Sequence, residues 1–259
     1  MRLNYKDIDV VILCAGLGTR LRPLTNAIPK VMIPIDENLP LLEHIVLLLK
    51  SQGFRKFIFN LHYLPEVITN HFGDGSRFGV NIRYSLESGE ILGTGGGIKK
   101  MERMIESEDF ILIYGDHLFI FDFRPLVDFH VEKRALATLL LKRSDIPQNG
   151  DLAEIDNPTK KITKWHPRPH PYTEYGDNLY LNTGLDILSK KILDYIPPNR
   201  PIKLDIDILP KLVEEGAPIY GFPTEKEILD IGTPEKYEFA KKWYHQKEKE
   251  IKKFFTTSI

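Results

Sequence analysis

The sequence predicts a doubly wound α/β fold with a mostly parallel sheet and a β-ribbon lid, on three observations. Short apolar runs suited to buried strands, Val10-Val-Ile-Leu13, Phe57-Ile-Phe-Asn60 and Phe110-Ile-Leu-Ile-Tyr114, alternate with helical patterns. The first and third of these runs each lead into a glycine-bearing loop with charged residues close behind. From Asp145 to Tyr175 the composition changes, with Pro147, Pro158, Pro167, Pro169 and Pro171 crowding among aromatics and short strand-like pieces.

Bulk composition narrows the class. The 259 residues are enough for one large α/β domain or two small ones. Hydrophobic residues at 42% and charged ones at 27% are ordinary for a soluble globular chain. A formal net charge of −1 argues against a broad nucleic-acid footprint, which needs a basic surface. The single cysteine, Cys14, excludes a disulfide framework and a cysteine-rich metal site, and its place at a strand end suits a buried thiol. The start, Met1-Arg-Leu-Asn-Tyr-Lys-Asp7, lacks an apolar signal core, and no run approaches the length of a membrane span. A cytoplasmic protein is expected.

The chain turns on the stretch after Val10-Val-Ile-Leu13. Gly16 and Gly18 lie two apart, followed by Thr19, Arg20, Arg22 and, further on, Lys30. A strand feeding a glycine loop leaves backbone N–H groups that an anion can approach closely, and neighbouring Arg and Lys make that anion a polyphosphate. Residue 21 is Leu, so the dinucleotide fingerprint fails; Gly93-Thr-Gly-Gly-Gly-Ile-Lys99 has Ile98 and Lys100 where a P-loop needs Gly and Ser or Thr. The loop is therefore expected to hold a nucleoside triphosphate.

Elements follow in order. Leu39 to Gln52 has helical spacing, with Leu42, Ile45, Val46 and Leu49 on one face and Gly53 as the stop. Phe57–Asn60 is a strand, Leu64–Phe72 a helix closed by Gly73, and Gly79–Tyr84 another strand. The glycines from Glu87 to Ile98 read as a loop on which a planar ring can rest, with a helix over Ile98–Ile105. Phe110–Asp116 reads as a strand ending in an acid, where open α/β sheets hold ligands and a hard cation finds oxygen. Asp122–Arg134 reads as a helix with Pro125 in its first turn, and Leu136–Leu141 as a strand. Leu152–Ile155, Ile162–Trp165 and Leu179–Leu181 supply the ribbons of the lid. Ile228-Leu-Asp230 is a strand ending in a second acid, set at the rim of the same sheet, and Pro234–Phe255 is one charged amphipathic helix. That helix is a solvated face packed on the domain, with a homodimer contact as the sharper alternative. Boundaries are expected at 1–144 for a nucleotide-binding half, 145–233 for the half that carries the lid and 234–259 for the terminal helix.

The pattern Leu13-Cys-Ala-Gly-Leu-Gly-Thr-Arg-Leu-Arg-Pro-Leu-Thr25, with Pro29-Lys30 and Pro34-Ile35, resembles the signature of sugar-1-phosphate nucleotidyltransferases, the pyrophosphorylases that make nucleotide-sugars. The resemblance implies a Rossmann-like nucleotidyltransferase sheet and the reaction NTP + sugar 1-phosphate → NDP-sugar + pyrophosphate, with Mg²⁺ as cofactor. It implies nucleotide contacts at Leu13, Ala15, Gly16, Gly18, Thr19, Arg20, Gly93, Thr94 and Gly115, and catalytic roles for Arg20, Lys30 and Asp116. Asp116 and Asp230 become the metal ligands, and Gly150, Glu154, Arg168, Asn182 and Gly184 the sugar-phosphate contacts. The chain departs from the family at Trp165-His-Pro-Arg-Pro169, where Pro167 stands for a sugar-phosphate Glu and Arg168 for a Lys. Proline cannot replace a carboxylate, so His166 or Glu154 is the candidate stand-in. Asp205-Ile-Asp-Ile-Leu-Pro210 is similar to a family helix whose acids support rather than react. His71–Gly79, Ile82–Tyr84 and Leu92–Gly97 resemble heptose- and mannose-1-phosphate guanylyltransferases and also N-acetylmuramate-1-phosphate uridylyltransferases, with guanine the first choice of base. A β-helix acyltransferase domain is not expected after Tyr237. A non-catalytic nucleotide-sugar sensor and a transferase acting on a non-sugar phosphate are the rival readings.

Overall fold

The computed structural model describes residues 4–143, 146–174 and 176–256, so the expected boundary at residue 145 lies outside the described residues. In chain order the strands are β1 (Asp9–Leu13), β2 (Pro34–Asp36), β3 (Leu39–Pro40), β4 (Lys56–Leu61), β5 (Asn81–Leu86), β6 (Asp109–Tyr114), β7 (His117–Phe119), β8 (Ala137–Lys142), β9 (Leu152–Ile155), β10 (Ile162–His166), β11 (Leu179–Ser189), β12 (Ile219–Thr224) and β13 (Ile228–Asp230). The helices are α1 (Leu41–Ser51), α2 (Pro65–Phe72), α3 (Gly93–Lys100), α4 (Arg124–Lys133), α5 (Leu209–Glu214), α6 (Pro234–Gln246) and α7 (Glu248–Thr256). The class is α/β, as the alternation of apolar runs predicts. Among the described residues, no helix is long and apolar enough to cross a membrane. Two compact units form: one from the chain up to Gly89 with Tyr114–Phe123 and the stretch from Glu227, the other from Glu90–Ile113 and Arg124–Lys226.

In the first unit β1, β4 and β5 run parallel, with Val11 opposite Ile58 and Ile58 opposite Arg83. Val10, Val11 and Ile12 are fully buried, which is why an unbroken apolar run serves here as a strand. α1 buries Leu42, Ile45, Val46 and Leu49, the expected stripe, together with Leu41 and Leu48. It starts two residues later than its spacing suggests, because Leu39–Pro40 pairs with Pro34–Asp36 as a small antiparallel ribbon. Gly53, at φ +104°, stops it. The C-terminal stretch is two helices rather than one, broken at Lys247, so that Trp243 and Ile251 are both buried.

The second unit carries most of the antiparallel pairing. β11 lies between β6 and β8 and also pairs β9, which pairs β10, while β12 runs parallel to β8. β11 is eleven residues long, so Asn182-Thr-Gly184 sits mid-strand at a register shift, with Gly184 at φ +69° as in a β-bulge. The glycine run is a correction to the sequence reading: it is not a loop before a helix but is itself α3, from Gly93 to Lys100. Poor helix propensity is overridden by packing. A Cβ on Gly93 would lie 2.7 Å from the Ile202 carbonyl oxygen, and one on Gly96 would lie 2.7 Å from that of Arg200. The N–H groups of Gly95 and Gly96 donate to the Ile202 carbonyl at 2.8 and 3.1 Å, so the crossing segment caps the helix.

Candidate functional site

The glycine loop is a shaped object rather than slack chain. The Cys14 N–H donates to Asn60 Oδ1 at 2.6 Å, and Asn60 Nδ2 donates to Glu87 Oε1 at 2.7 Å, tying the loop's start to two neighbouring strands' ends. Gly18 sits at φ +63°, where a Cβ would meet Thr25 Cγ2 at 2.9 Å, and its carbonyl accepts from Thr25 Oγ1 at 2.8 Å. Gly16 differs: a Cβ there meets nothing within 4 Å. Gly16, Thr19 and Arg20 are exposed, whereas Ala15 is buried and Leu13 half-buried. Gly115 donates to the Leu13 carbonyl at 3.0 Å, and a Cβ on it would lie 2.7 Å from that oxygen. The backbone leading to Asp116 therefore lies directly against the loop's root.

Three predicted residues meet at one point. Lys30, only 7% exposed, places its Nζ 2.6 Å from Asp116 Oδ2 and 3.6 Å from Asp230 Oδ1. The route to this convergence corrects the sequence reading. The two acids are not strand ends of one sheet; Asp116 lies in the turn after β6, and Asp230 ends β13, which pairs antiparallel with β7 and sets Asp230 opposite His117. Two further basic side chains escaped sequence reasoning. His117 Nδ1 is 3.1 Å from Asp116 Oδ1, and Lys236 Nζ donates to Asp230 Oδ2 at 2.7 Å. Their only signals were adjacency to Asp116 and a place in the first turn of the helix after Asp230. The Gly232 N–H donates to Asp230 Oδ1 at 2.8 Å, and a Cβ on Gly232 would lie 2.9 Å from an Arg20 guanidinium nitrogen, so Arg20 borders the same corner.

These contacts fix the charge states. Burial favours a neutral Asp116, but His117 and Lys30 outweigh it and hold its carboxyl well below the usual range. Burial likewise opposes ionisation of Asp230, and the hydrogen bond from Lys236, with Lys30 and His117, brings it below its ordinary value. Burial acts to lower His117, yet Asp116 and Asp230 together raise it. Burial, with Asp116 adding to it, pushes the Cys14 thiol up, so it is an inert packing group. Two carboxylates converging on one ammonium are a donor set that fits a hard cation, since Mg²⁺ is commonly held by one or two carboxylates with phosphate oxygens completing its shell. Among the described residues, no cluster of three or more His, Cys, Asp or Glu could hold a metal alone.

The second unit gathers the remaining predicted residues into two groups. Thr94 Oγ1 donates to Asp205 Oδ1 at 3.2 Å and accepts the Leu204 N–H at 2.8 Å, binding α3 to the acidic segment. Gly93 is pressed against Ile202. On the ribbon, Glu154 and His166 are not alternatives but partners, with His166 Nε2 2.8 Å from Glu154 Oε1 and Lys164 Nζ 3.1 Å from Oε2. Tyr172 lies with its ring centroid 4.7 Å from His166. Arg168 uses its backbone N–H on Asp151 Oδ1 at 2.8 Å and Nη1 on the Asn149 carbonyl at 2.9 Å, leaving half its side chain exposed. Gly150 accepts from His170 Nε2 at 2.9 Å, and the Asn182 N–H donates to the Asp151 carbonyl at 2.9 Å. Asp151 thus links Arg168 to Asn182, a role no motif announced. Burial and the nearby Asp205 raise its carboxyl, with Arg168 opposing.

Comparison with known proteins gives the chain its family. A family model described as nucleotidyl transferase matches residues 9–247. A UTP–glucose-1-phosphate uridylyltransferase of Synechocystis is 37% identical over 87% of this chain and 60% of its own length. A mannose-1-phosphate guanylyltransferase of Mycobacterium tuberculosis is 33% identical over 89% of this chain and 63% of its own. The chain thus spans somewhat less than two thirds of these two relatives. A D-glycero-alpha-D-manno-heptose 1-phosphate guanylyltransferase of Aneurinibacillus thermoaerophilus is 34% identical over 91% of this chain and 97% of its own. Among solved structures, HddC from Yersinia pseudotuberculosis superposes with a TM-score of 0.76 at 29% identity, covering 92% of this chain and 99% of that one. A second structure of that protein holds GMP-PN.

Proposed function

The chain belongs to the nucleotidyl transferase family, and from that premise we propose that it catalyses NTP + sugar 1-phosphate → NDP-sugar + pyrophosphate, guanylyl transfer to a mannose- or heptose-type 1-phosphate being the first choice. The observation that carries this reading is the Lys30 ammonium held between Asp116 and Asp230 beside Arg20. The attacking sugar-phosphate oxygen is already an anion, so no general base is required. The site's task is to hold anions and spread the charge that develops at the α-phosphorus as pyrophosphate leaves. Lys30, Arg20 and the N–H groups of Gly16, Gly18 and Thr19 supply positive charge for the triphosphate. Asp116 and Asp230 would hold Mg²⁺, which supplies charge neutralisation on the phosphoryl oxygens when bound. In the second unit Gly93 and Thr94 serve the base, and Gly150, Glu154, Arg168, Asn182 and Gly184 serve the sugar phosphate. With a carboxylate lost at Pro167, the Glu154–His166 pair takes over hydroxyl recognition, and Arg168 clamps the phosphate.

A second reading, uridylyl transfer to glucose 1-phosphate or another sugar 1-phosphate, is favoured by the 37% identity to the Synechocystis uridylyltransferase. One panel separates them. Pyrophosphate release is measured with GTP, UTP, CTP and dTTP against mannose, heptose, glucose and N-acetylmuramate 1-phosphates. GTP with a manno-configured sugar supports the first reading and UTP with glucose 1-phosphate the second. Nucleotide binding with no release for any pair overturns both in favour of a sensor.

A further inference from the structure

The second unit contains a cavity of about 700 Å³ that shares no residue with the sites assigned above. Such a volume is within the range of about 300–1,000 Å³ typical of small-molecule sites. Its wall includes the end of α4, the start of β6 and the stretch that follows β11.

The way α4 ends is the first sign that this is more than a dent. The Ala135 N–H donates to the His130 carbonyl and the Arg134 N–H to that of Val131, both at 3.1 Å, which is a Schellman ending. That motif puts its penultimate residue in the left-handed region, where glycine is the usual occupant. Here Arg134 takes it, at φ +48°. A non-glycine there carries a cost of order 1 kcal/mol or more, and an outlier of that kind points to use of the side chain. Among the described residues the Arg134 guanidinium has no hydrogen-bond or ion-pair partner, and neither has the Lys191 ammonium on the same wall.

The polar complement is on the other walls. His130, 1% exposed, is fixed through Nδ1 to Thr138 Oγ1 at 2.9 Å. Its Nε2 has no hydrogen-bond partner, the nearest charged oxygen being Asp109 Oδ1 at 3.4 Å. A buried ring nitrogen without a partner costs free energy unless a ligand or water completes it. Glu108 and Asp194 also line the cavity, and among the described residues their carboxylates have no side-chain partner. Unpaired cations beside unpaired acceptors describe a molecule with an anionic end and a hydroxyl-bearing body.

We infer that this cavity is a second ligand site, for a phosphomonoester of a polyhydroxylated carbon skeleton, with the phosphoryl group on Arg134 and Lys191 and the hydroxyls on Asp109, Glu108 and Asp194. His130, on the same wall, lies with Nε2 3.4 Å from Asp109 and so reports on that carboxylate. The site does not depend on the catalytic reading.

The test follows the imidazole resonances of His130 in the full chain during titration with glucose 6-phosphate, inorganic phosphate and glucose. Glucose 6-phosphate is expected to move them, with equal affinity in wild type and in Asp116→Asn. Arg134→Gly relieves the backbone, so it folds; it is expected to weaken binding about tenfold or more while leaving turnover unchanged. Lys191→Ala, at an exposed position, is expected to act in the same direction. No movement of His130 with glucose 6-phosphate, or an unaltered affinity in both Arg134→Gly and Lys191→Ala, overturns the site. Inorganic phosphate binding as tightly as glucose 6-phosphate overturns the polyol assignment, and glucose alone doing so overturns the anionic one. Loss of the shift in Asp116→Asn would place the ligand in the catalytic unit and also overturn the proposal.

Discussion

The Lys30 ammonium lies 2.6 Å from Asp116 and 3.6 Å from Asp230, so one buried cation joins two acids 114 residues apart in the chain (230 − 116). Lys30 is among the groups that hold both carboxyls below their ordinary range. Lys30→Ala, Asp116→Asn and Asp230→Asn are each expected to reduce pyrophosphate release at least about a hundredfold, in line with the roughly 2.7–4 kcal/mol attached to one electrostatic donor in a pre-formed site. The three effects are expected to be strongly non-additive in double variants, because the residues act as one unit. Turnover of the purified variants, with circular dichroism to confirm folding, checks this; additive losses would dissolve the unit.

Lys236 holds the second acid from the other side, at 2.7 Å and with its own side chain 40% exposed. A pair that open to water is worth about 0.2–1 kcal/mol, equivalent to at most roughly fivefold in an equilibrium. Lys236→Met frees an Asp230 oxygen, so half-saturation by Mg²⁺ is expected at a lower concentration, by a factor within that range. Chelation with EDTA is expected to abolish turnover in both proteins. A Mg²⁺ requirement that rises in Lys236→Met would mean that the lysine positions the carboxylate rather than competing for it.

The two kinds of glycine should separate cleanly. Gly93→Ala sets a Cβ 2.7 Å from the Ile202 carbonyl oxygen at φ +72°, and is expected to destabilise the fold by about 1–3 kcal/mol. Gly16→Ala meets nothing within 4 Å, so its melting temperature should stay near that of the wild type. On the proposed reading the added methyl stands where the triphosphate would approach bare backbone, and KM for the nucleotide is expected to rise. Thermal and urea melts, with nucleotide KM for both variants, decide. A destabilised Gly16→Ala would show that the loop closes on itself.

Sequence reasoning reached the α/β class and the Lys30–Asp116–Asp230 group because both rest on local signals: apolar runs, glycine turns, and acids just beyond strands. It failed where a distant segment decides the outcome. Gly93–Gly97 reads as a ring-bearing loop until Ile202 is laid across it, since helix propensity says nothing about a backbone packed against backbone. Ile228–Asp230 reads as a strand from the sequence, but its pairing with β7 escapes for the same reason, a three-residue partner strand having no periodicity to read. His117, Lys236 and Asp151 carry no motif; their partners are Asp116 next in the chain, with Asp230 opposite, then Asp230 and Arg168.

His44 offers a test of the first unit's core by pH alone. It is fully buried on α1, its Nε2 donates to the Phe119 carbonyl at 3.0 Å, and its Nδ1 has no partner. Burial lowers its pKa from 6.5 to about 4, against the opposing pull of that carbonyl. In the unfolded chain the ring titrates near its ordinary value. Between these two values the unfolded state therefore binds a proton that the folded state refuses, so stability falls as pH drops from about 6.5 to about 4 and is unaffected above that window. The full loss is on the order of 3 kcal/mol. In His44→Gln the side-chain amide can still donate to Phe119 but does not titrate, so its urea midpoint is expected to decline less steeply than the wild type's across this window. Parallel slopes for the two proteins would place the acid sensitivity in the carboxylates instead.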